Sequence, residues 1–370
     1  MEFFGKKSDG EVGIGLAMSP TNIRKGVRQS SWTAGGRKNS IVWTGNGSLL
    51  DGSAEYNDWG LDIFSKTTDE LCSICLNFFR ELNLIERLVI EEEALQNLIV
   101  SIRDTYNDVP FHNFYHGFSV CHITYLMLRN GHCSHCLRSV DMFAALVAAL
   151  GHDADHPGNS NSYEVMSLSE RALIHNDDAV LERHHSRTIA EIMKLEVNNV
   201  LKNFEESDKA YVRKVIIKGI LGTDMSKHMD HVTALIDRGE KMTKEEGASA
   251  FSRELDSDRI ELVSHLIHCS DLSGQTLPPH ISQEFENRVI QEFGNQAALE
   301  RSSGMKVTTY MDGLDDERKR IELQLNFIST LVLPLWRGMS KCFPVLVERV
   351  KRATDIEKDY TNRLKEMRCV

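Results

Sequence analysis

The sequence predicts an all-α fold, a compact bundle of many helices. Apolar residues recur at spacings of three and four from Trp59 almost to the C-terminus, the period of helices that bury one face. Strand-like alternation between Asn-Gly or Asp-Gly turns is missing, and the seven prolines fall mostly between helical stretches. The 370 residues show no internal repeat and are enough to bury a sizeable core.

Residues 1–57 read as an N-terminal arm rich in glycine and serine. Ten of the 24 glycines lie there without a sustained apolar period, so the arm has little core of its own. The body follows from 58 to 345. Its first helix carries Leu71, Ile74, Cys75 and Phe78, with Leu82 and Ile85 continuing the period. Leu95, Leu98, Ile99 and Ile102 predict the next. Met142 to Leu150 is an uncharged apolar run that reads as a buried helix ending at Gly151. Val212, Val215, Ile216 and Ile220 predict another, as do Ile260, Val263, Leu266 and Ile267. Ile321, Leu325, Ile328 and Val332 predict one continuous helix. Residues 346–370 mix charge with Val347, Val350, Ile356 and Leu364, a terminal amphipathic helix packed on the body. The segment Cys133-Ser134-His135-Cys136 resembles half a zinc knuckle, but no second Cys or His pair follows at finger spacing, and it reads as an exposed loop. Ser302 to Asp316 is polar and reads as a surface loop, with a lid as its sharper interpretation.

Charge and cysteine usage narrow the function classes. The net charge is −11, which argues against a nucleic-acid backbone or an anionic membrane surface as the main partner. The longest uncharged apolar run is less than half a membrane span, and no signal peptide opens the chain. Eight cysteines in this context predict reduced thiols and a cytoplasmic protein.

Histidines and aspartates carry the chemistry. His112 and His116 are four apart, which predicts that both lie on one face of a helix. The apolar run to Leu150 delivers His152-Asp153, and the later apolar helix delivers Asp271. Ligands presented from several helices to one point are how a bundle builds a metal site. Imidazole nitrogen with carboxylate oxygen suits zinc and other divalent transition metals. One ion can take His116, His152, Asp153 and Asp271, and the second oxygen of Asp153 can reach another ion. Such a pair activates water for attack at phosphorus.

These words, in this order, resemble the catalytic domain of class I 3′,5′-cyclic nucleotide phosphodiesterases within the HD metal-hydrolase group. The resemblance runs from Trp59-Gly60-Leu61 to about Trp336. It is carried by Phe111-His112-Asn113 with His116, His152-Asp153 to Gly158, His175-Asn176-Asp177 and Glu182-Arg183-His184-His185. Thr223-Asp224-Met225-Ser226-Lys227-His228, Asp271-Leu272-Ser273 and Gln324 with Phe327 continue it. The wording also resembles the trypanosomatid, FYVE-bearing branch, although no FYVE-type zinc module is visible.

The resemblance implies hydrolysis of cAMP, and of cGMP as well, to the 5′-monophosphates, which ends a second-messenger signal. It implies Zn2+ on His116, His152, Asp153 and Asp271, with Asp153 bridging to Mg2+ or Mn2+. It makes His112 the general acid and gives His156, Glu170, Thr223 and Asp224 supporting roles around the metals. Gln324, Phe327 and Val289 are implied as the purine clamp, with Phe111, Met225 and Leu272 beside them. Phe111 stands where tyrosine is usual. Gly274 stands where cAMP-preferring relatives carry asparagine, which implies use of both purines. A homodimer is among the assemblies the resemblance admits. The rival expectations are another HD-group nucleotide phosphohydrolase, and a cyclic-nucleotide-binding scaffold without catalysis.

Overall fold

The computed structural model describes residues 55–244 and 249–367. They form α1 (Thr68–Glu81), α2 (Leu84–Leu88), α3 (Glu92–Arg103), α4 (Phe114–Arg129) and α5 (Ser139–Gly151). Next come α6 (Asn161–Met166), α7 (Glu170–His175), α8 (Val180–Met193), α9 (Glu206–Leu221) and α10 (His228–Lys244). The last five are α11 (Asp256–Asp271), α12 (Pro279–Ser302), α13 (Glu317–Phe327), α14 (Leu333–Cys342) and α15 (Val347–Glu366). No strand occurs among the described residues. None of the described helices is long and apolar enough to cross a membrane.

The centre is α5, buried along nearly its whole length and packed against α4, α9 and α11. A helix that is apolar all round has no solvent face and must be enclosed. Its N-terminal end carries a buried charge that sequence reading did not find. Asp141 Oδ2 lies 3.1 Å from Arg259 Nε near the start of α11, and the Tyr211 hydroxyl donates to Asp141 Oδ1 at 2.6 Å. At the other end of the same two helices, His152 Nε2 lies 3.5 Å from Asp271 Oδ1. Helices α5 and α11 therefore run parallel, joined by polar contacts at both ends.

Around this centre, α1 starts on a capping box of Thr67 and Glu70, and α4 starts on Asn113, whose side chain accepts the Tyr115 N–H at 3.0 Å. The continuous helix expected from Ile321 to Val332 is interrupted. Helix α13 ends at Phe327, and Ile328–Val332 form a π-helical stretch before α14. The physical reason is Pro334, which has no N–H with which to continue the α-helical ladder. Cys133 and Cys136 are buried in a 3-10 turn, not exposed in a loop as expected. Most of the expected arm lies outside the described residues. Its last three, Glu55–Asn57, sit on the body: Tyr56 is buried, and the Tyr125 hydroxyl donates to Asn57 Oδ1 at 2.6 Å.

Helices α4 and α5 approach closely because Gly117 has no side chain. A Cβ there would stand 2.3 Å from the Tyr106 hydroxyl and 3.0 Å from the Leu150 carbonyl, which that hydroxyl itself bonds at 2.7 Å. Gly117→Ala is expected to lower unfolding free energy by about 1–3 kcal/mol, the usual range for overpacking, measured by urea denaturation. An unchanged midpoint would show that the crossing tolerates the methyl.

Candidate metal centre and active site

His116 lies in the first turn of α4, His152 caps the end of α5, Asp153 follows it, and Asp271 is the last residue of α11. Three helices thus bring four donor atoms together. His116 Nε2 is 3.2 Å from His152 Nε2, 3.3 Å from Asp153 Oδ2 and 3.0 Å from Asp271 Oδ1. His152 Nε2 is 3.1 Å from Asp153 Oδ2. Donors around one ion at ~2.1 Å stand about 3.4 Å apart in a tetrahedron, so the set fits a divalent cation.

Tautomers sharpen the fit. His152 Nδ1 lies 2.9 Å from the Ala149 carbonyl, which can only accept, so Nε2 is left as a lone pair aimed at the other donors. His185 repeats the arrangement beyond Asp153. Its Nδ1 donates to the Ala154 carbonyl at 2.7 Å, leaving a buried, unpartnered Nε2 at 3.6 Å from Asp153 Oδ1. A lone pair facing a carboxylate oxygen calls for a cation or its water between them. His156 completes that side, since Asp153, His156 and His185 offer ligand atoms within 4.8 Å of one another.

His112 stands beside this centre, but not on the helix. Asn113 is extended and caps α4, so His112 precedes the first turn; the shared helical face expected for His112 and His116 is corrected here. The position of His112 comes from α12 instead. Glu292 Oε2 accepts the Phe111 and His112 backbone N–H groups at 2.9 and 3.1 Å, and Glu292 Oε1 pairs with His112 Nδ1. Burial alone would lower the His112 pKa, but the charge and hydrogen bond of Glu292, with the charges of Asp153 and Asp271, together outweigh it and hold the imidazole up at about 9. The same pair holds Glu292 below the usual carboxylate range against its own burial. His156 stacks on His112 at 4.0 Å between ring centres. Burial and the His112 charge push the His156 pKa well down, so it stays neutral.

The supporting residues divide. His156, Thr223 and Asp224 are buried. The Thr223 hydroxyl donates to the Ile220 carbonyl at 2.8 Å, and Asp224 Oδ1 accepts the Ser226 N–H at 2.8 Å as a cap. Glu170 does not join them. It is exposed in the first turn of α7, where a carboxylate favours the helix N-terminus and meets water. Glu182 occupies the buried position instead. Burial raises its carboxyl to about 7, with Asp224 and Asp153 adding to the rise, and Asn161 Nδ2 donates to both its oxygens at 3.0 Å.

The apolar wall is built from Phe111, whose ring lies 4.6 Å from His116 and 5.9 Å from Phe285. Val289 is half-buried on α12, four residues after Phe285 and three before Glu292, on the same helical face. Gln324 is buried, Phe327 is half-buried one turn later, and Leu272 is buried at the end of α11. Met225 is 40% exposed, next to buried Asp224. Sequence reading missed Glu292 and assigned no role to Glu182 or His185. For Glu182 and His185 the signal was present in the motif that contains both. For Glu292 it was only the helical spacing from Val289.

The family model of the 3′5′-cyclic nucleotide phosphodiesterase matches residues 111–353. The 3′,5′-cyclic-nucleotide phosphodiesterase regA of Dictyostelium discoideum is 30% identical over 315 residues, 84% of this chain and 39% of that protein. Isoform F of the Drosophila melanogaster 3′,5′-cyclic-AMP phosphodiesterase is 31% identical over 330 residues, 88% of this chain and 48% of that protein. The chain thus spans less than half the length of these curated relatives. Among solved structures, the phosphodiesterase domain of the RhoPDE fusion protein from the choanoflagellate Salpingoeca rosetta matches with a TM-score of 0.81 and 30% identity, covering 86% of this chain and 98% of that one. The structure of LmjPDEB1 in complex with IBMX matches with a TM-score of 0.79 and 26% identity, covering 86% of this chain and 96% of that one. With a compact all-helical fold, a four-donor cluster at three helix ends and a family match across about two thirds of its length, the chain belongs to the 3′5′-cyclic nucleotide phosphodiesterase family.

Proposed function

We propose that this chain hydrolyses 3′,5′-cyclic nucleotides, cAMP and cGMP, to 5′-monophosphates in the cytoplasm. The observation that carries the reading is the adjacency of a cation-demanding donor set to a histidine held protonated by a buried glutamate. His116, His152, Asp153 and Asp271 would hold Zn2+, and the far oxygen of Asp153, with His156 and His185 around it, would face Mg2+ or Mn2+ and its waters. When bound, the two cations supply an activated water and offset the phosphate charge.

The remaining work belongs to the side chains. Water adds to phosphorus, the bond from phosphorus to O3′ breaks, and O3′ leaves with a proton. Glu292 takes the Nδ1–H of His112, so Nε2–H is the proton available to O3′. An alkoxide is a poor leaving group near neutral pH, and protonation removes that barrier. Phe327 and Val289 would clamp the purine faces, Gln324 would bond its edge, and Phe111, Leu272 and Met225 would line the sugar–phosphate end. Glu182, Thr223 and Asp224 would orient the metal shell.

Turnover of cAMP and cGMP with added Mg2+, with and without a strong chelator, tests this reading directly. Hydrolysis that chelator abolishes supports it. Binding without turnover would favour a silent scaffold, and turnover confined to non-cyclic nucleotides would favour another phosphohydrolase. Asp271→Ala is expected to lower activity by far more than the 10–100-fold of outer-sphere changes, with zinc lost in elemental analysis. Full zinc in the folded variant would contradict the ligand assignment.

His112→Ala should keep its metals yet lose about 10²–10⁴-fold in kcat, with an ester bearing a good leaving group spared. Equal losses on both substrates would exclude the acid role. The pH profile gives a third check. His112 acts when protonated, so activity is present below its raised pKa of about 9 and declines as pH rises through it. Bound cations offset the smaller contributions of Asp153 and Asp271, leaving Glu292 as the main support. Glu292→Gln should therefore move the alkaline limb down by about one unit or more. A limb that stays in place would assign it to another group.

A further inference from the structure

The segment that carries His112 also grips the loop that carries His152 and Asp153, through two residues that the chemistry above does not use. The Tyr106 hydroxyl donates to the Leu150 carbonyl at 2.7 Å, two residues before His152. Asn107 Nδ2 donates to the His156 carbonyl and to Asp155 Oδ1, each at 3.0 Å, on the far side of Asp153. Two neighbouring residues thus hold the ligand loop at both ends. Asp155 needs such holding. It takes a left-handed φ of 61°, and its other oxygen pairs with His184 Nε2 at 2.8 Å. We infer that Tyr106 and Asn107 form a clasp that fixes the loop of His152 and Asp153 at a set distance from His112. The inference rests on the roles proposed above for those three residues.

The path from the clasp to His112 is short. His156 Nδ1 accepts the Gly158 N–H at 3.0 Å, which fixes the imidazole, and that ring stacks on His112 at 4.0 Å between centres. Asn107 holds the carbonyl of the same His156. From the other side, Asn113 Nδ2 donates to the Val109 and Pro110 carbonyls at 2.8 and 3.2 Å, which takes up slack between Asn107 and His112. Glu292 orients the His112 ring; the clasp sets how far that ring stands from the loop of His152. A misplacement of about 1 Å at a reacting group can cost about 100-fold in rate. Asn107 is exposed, so the core does not depend on it. Tyr106 and Asn107 are positioning residues: they act through the backbone of the loop.

The test combines amide exchange with turnover, both on the whole chain with its metals. Tyr106→Phe removes only the hydroxyl. Asn107→Asp keeps the shape but sets a carboxylate against Asp155 Oδ1 and the His156 carbonyl. In both variants, hydrogen–deuterium exchange should quicken about tenfold or more at the amides of residues 152–158 and stay unchanged in α1 and α15. kcat for the cyclic nucleotide should fall about 10–100-fold, with zinc retained and KM within about twofold. An ester with a good leaving group should lose less, because it depends less on the place of His112. The double variant Asn107→Asp/Asp155→Asn restores a donor–acceptor pair and should recover kcat by about fivefold or more over Asn107→Asp alone. If Tyr106→Phe fails to fold, the two Asn107 variants decide. Unchanged exchange at 152–158, uniform quickening in every helix, or a double variant no better than the single one would overturn the clasp. A wild type that turns over neither cyclic nucleotide would overturn the hydrolase reading, and the exchange measurement would still decide the clasp.

Discussion

Four donor atoms converge at the centre of this protein, two imidazole nitrogens and two carboxylate oxygens. Each imidazole Nε2 lies 3.0–3.5 Å from both carboxylates, whose like charges repel one another unless positive charge sits between them. The cluster can persist only because the scaffold holds it from outside. The ligand end of α5 and α11 is matched at their far end by Asp141, Arg259 and Tyr211. Eleven residues separate Asp141 from His152 and twelve separate Arg259 from Asp271, roughly 16–18 Å of helix in each case. With near-equal lengths, a register set by ion pairing at one end is delivered as ligand register at the other.

A second organising element is α12. Phe285, Val289, Glu292, Gln296 and Glu300 follow one another along one face of it at spacings of three and four. Phe285 supports the aromatic wall, and Glu292 orders His112 and the backbone around it. Gln296 accepts the Ser160 N–H at 2.8 Å, and Glu300 accepts the Thr308 N–H at 2.7 Å, tying the segment after α12 to the same rod. One helix thus aligns His112, the apolar residues Phe285 and Val289, and a neighbouring loop.

How far these features were legible follows from where the deciding partner sits. His116, His152, Asp153 and Asp271 each end or open an apolar helical run, so local pattern exposed them. The place of His112 was misread because Asn113 can continue a helix or cap it, and the choice is made by tertiary contacts. Glu170 and Glu182 are both acidic residues near helix starts, and spacing does not reveal which is enclosed. The partners of His112 and Gln324 lie 180 and 49 residues away, so no local pattern pairs either with its partner. Pro334 was visible, but its effect on the preceding turn emerged only where α14 must dock while α13 presents Gln324.

The π-helical stretch Ile328–Val332 separates two surfaces that sequence periodicity would join. Upstream, α13 presents Gln324 and Phe327; downstream, α14 buries Trp336, whose indole N–H bonds the Leu272 carbonyl at 3.3 Å. A wide turn absorbs one residue more or fewer than a regular helix does. A lineage that lost one residue there would rotate α13 by about 100° against an unmoved α14. Insertions and deletions at this joint therefore offer descendants of this chain a way to re-aim Gln324 and Phe327 while inheriting an intact core.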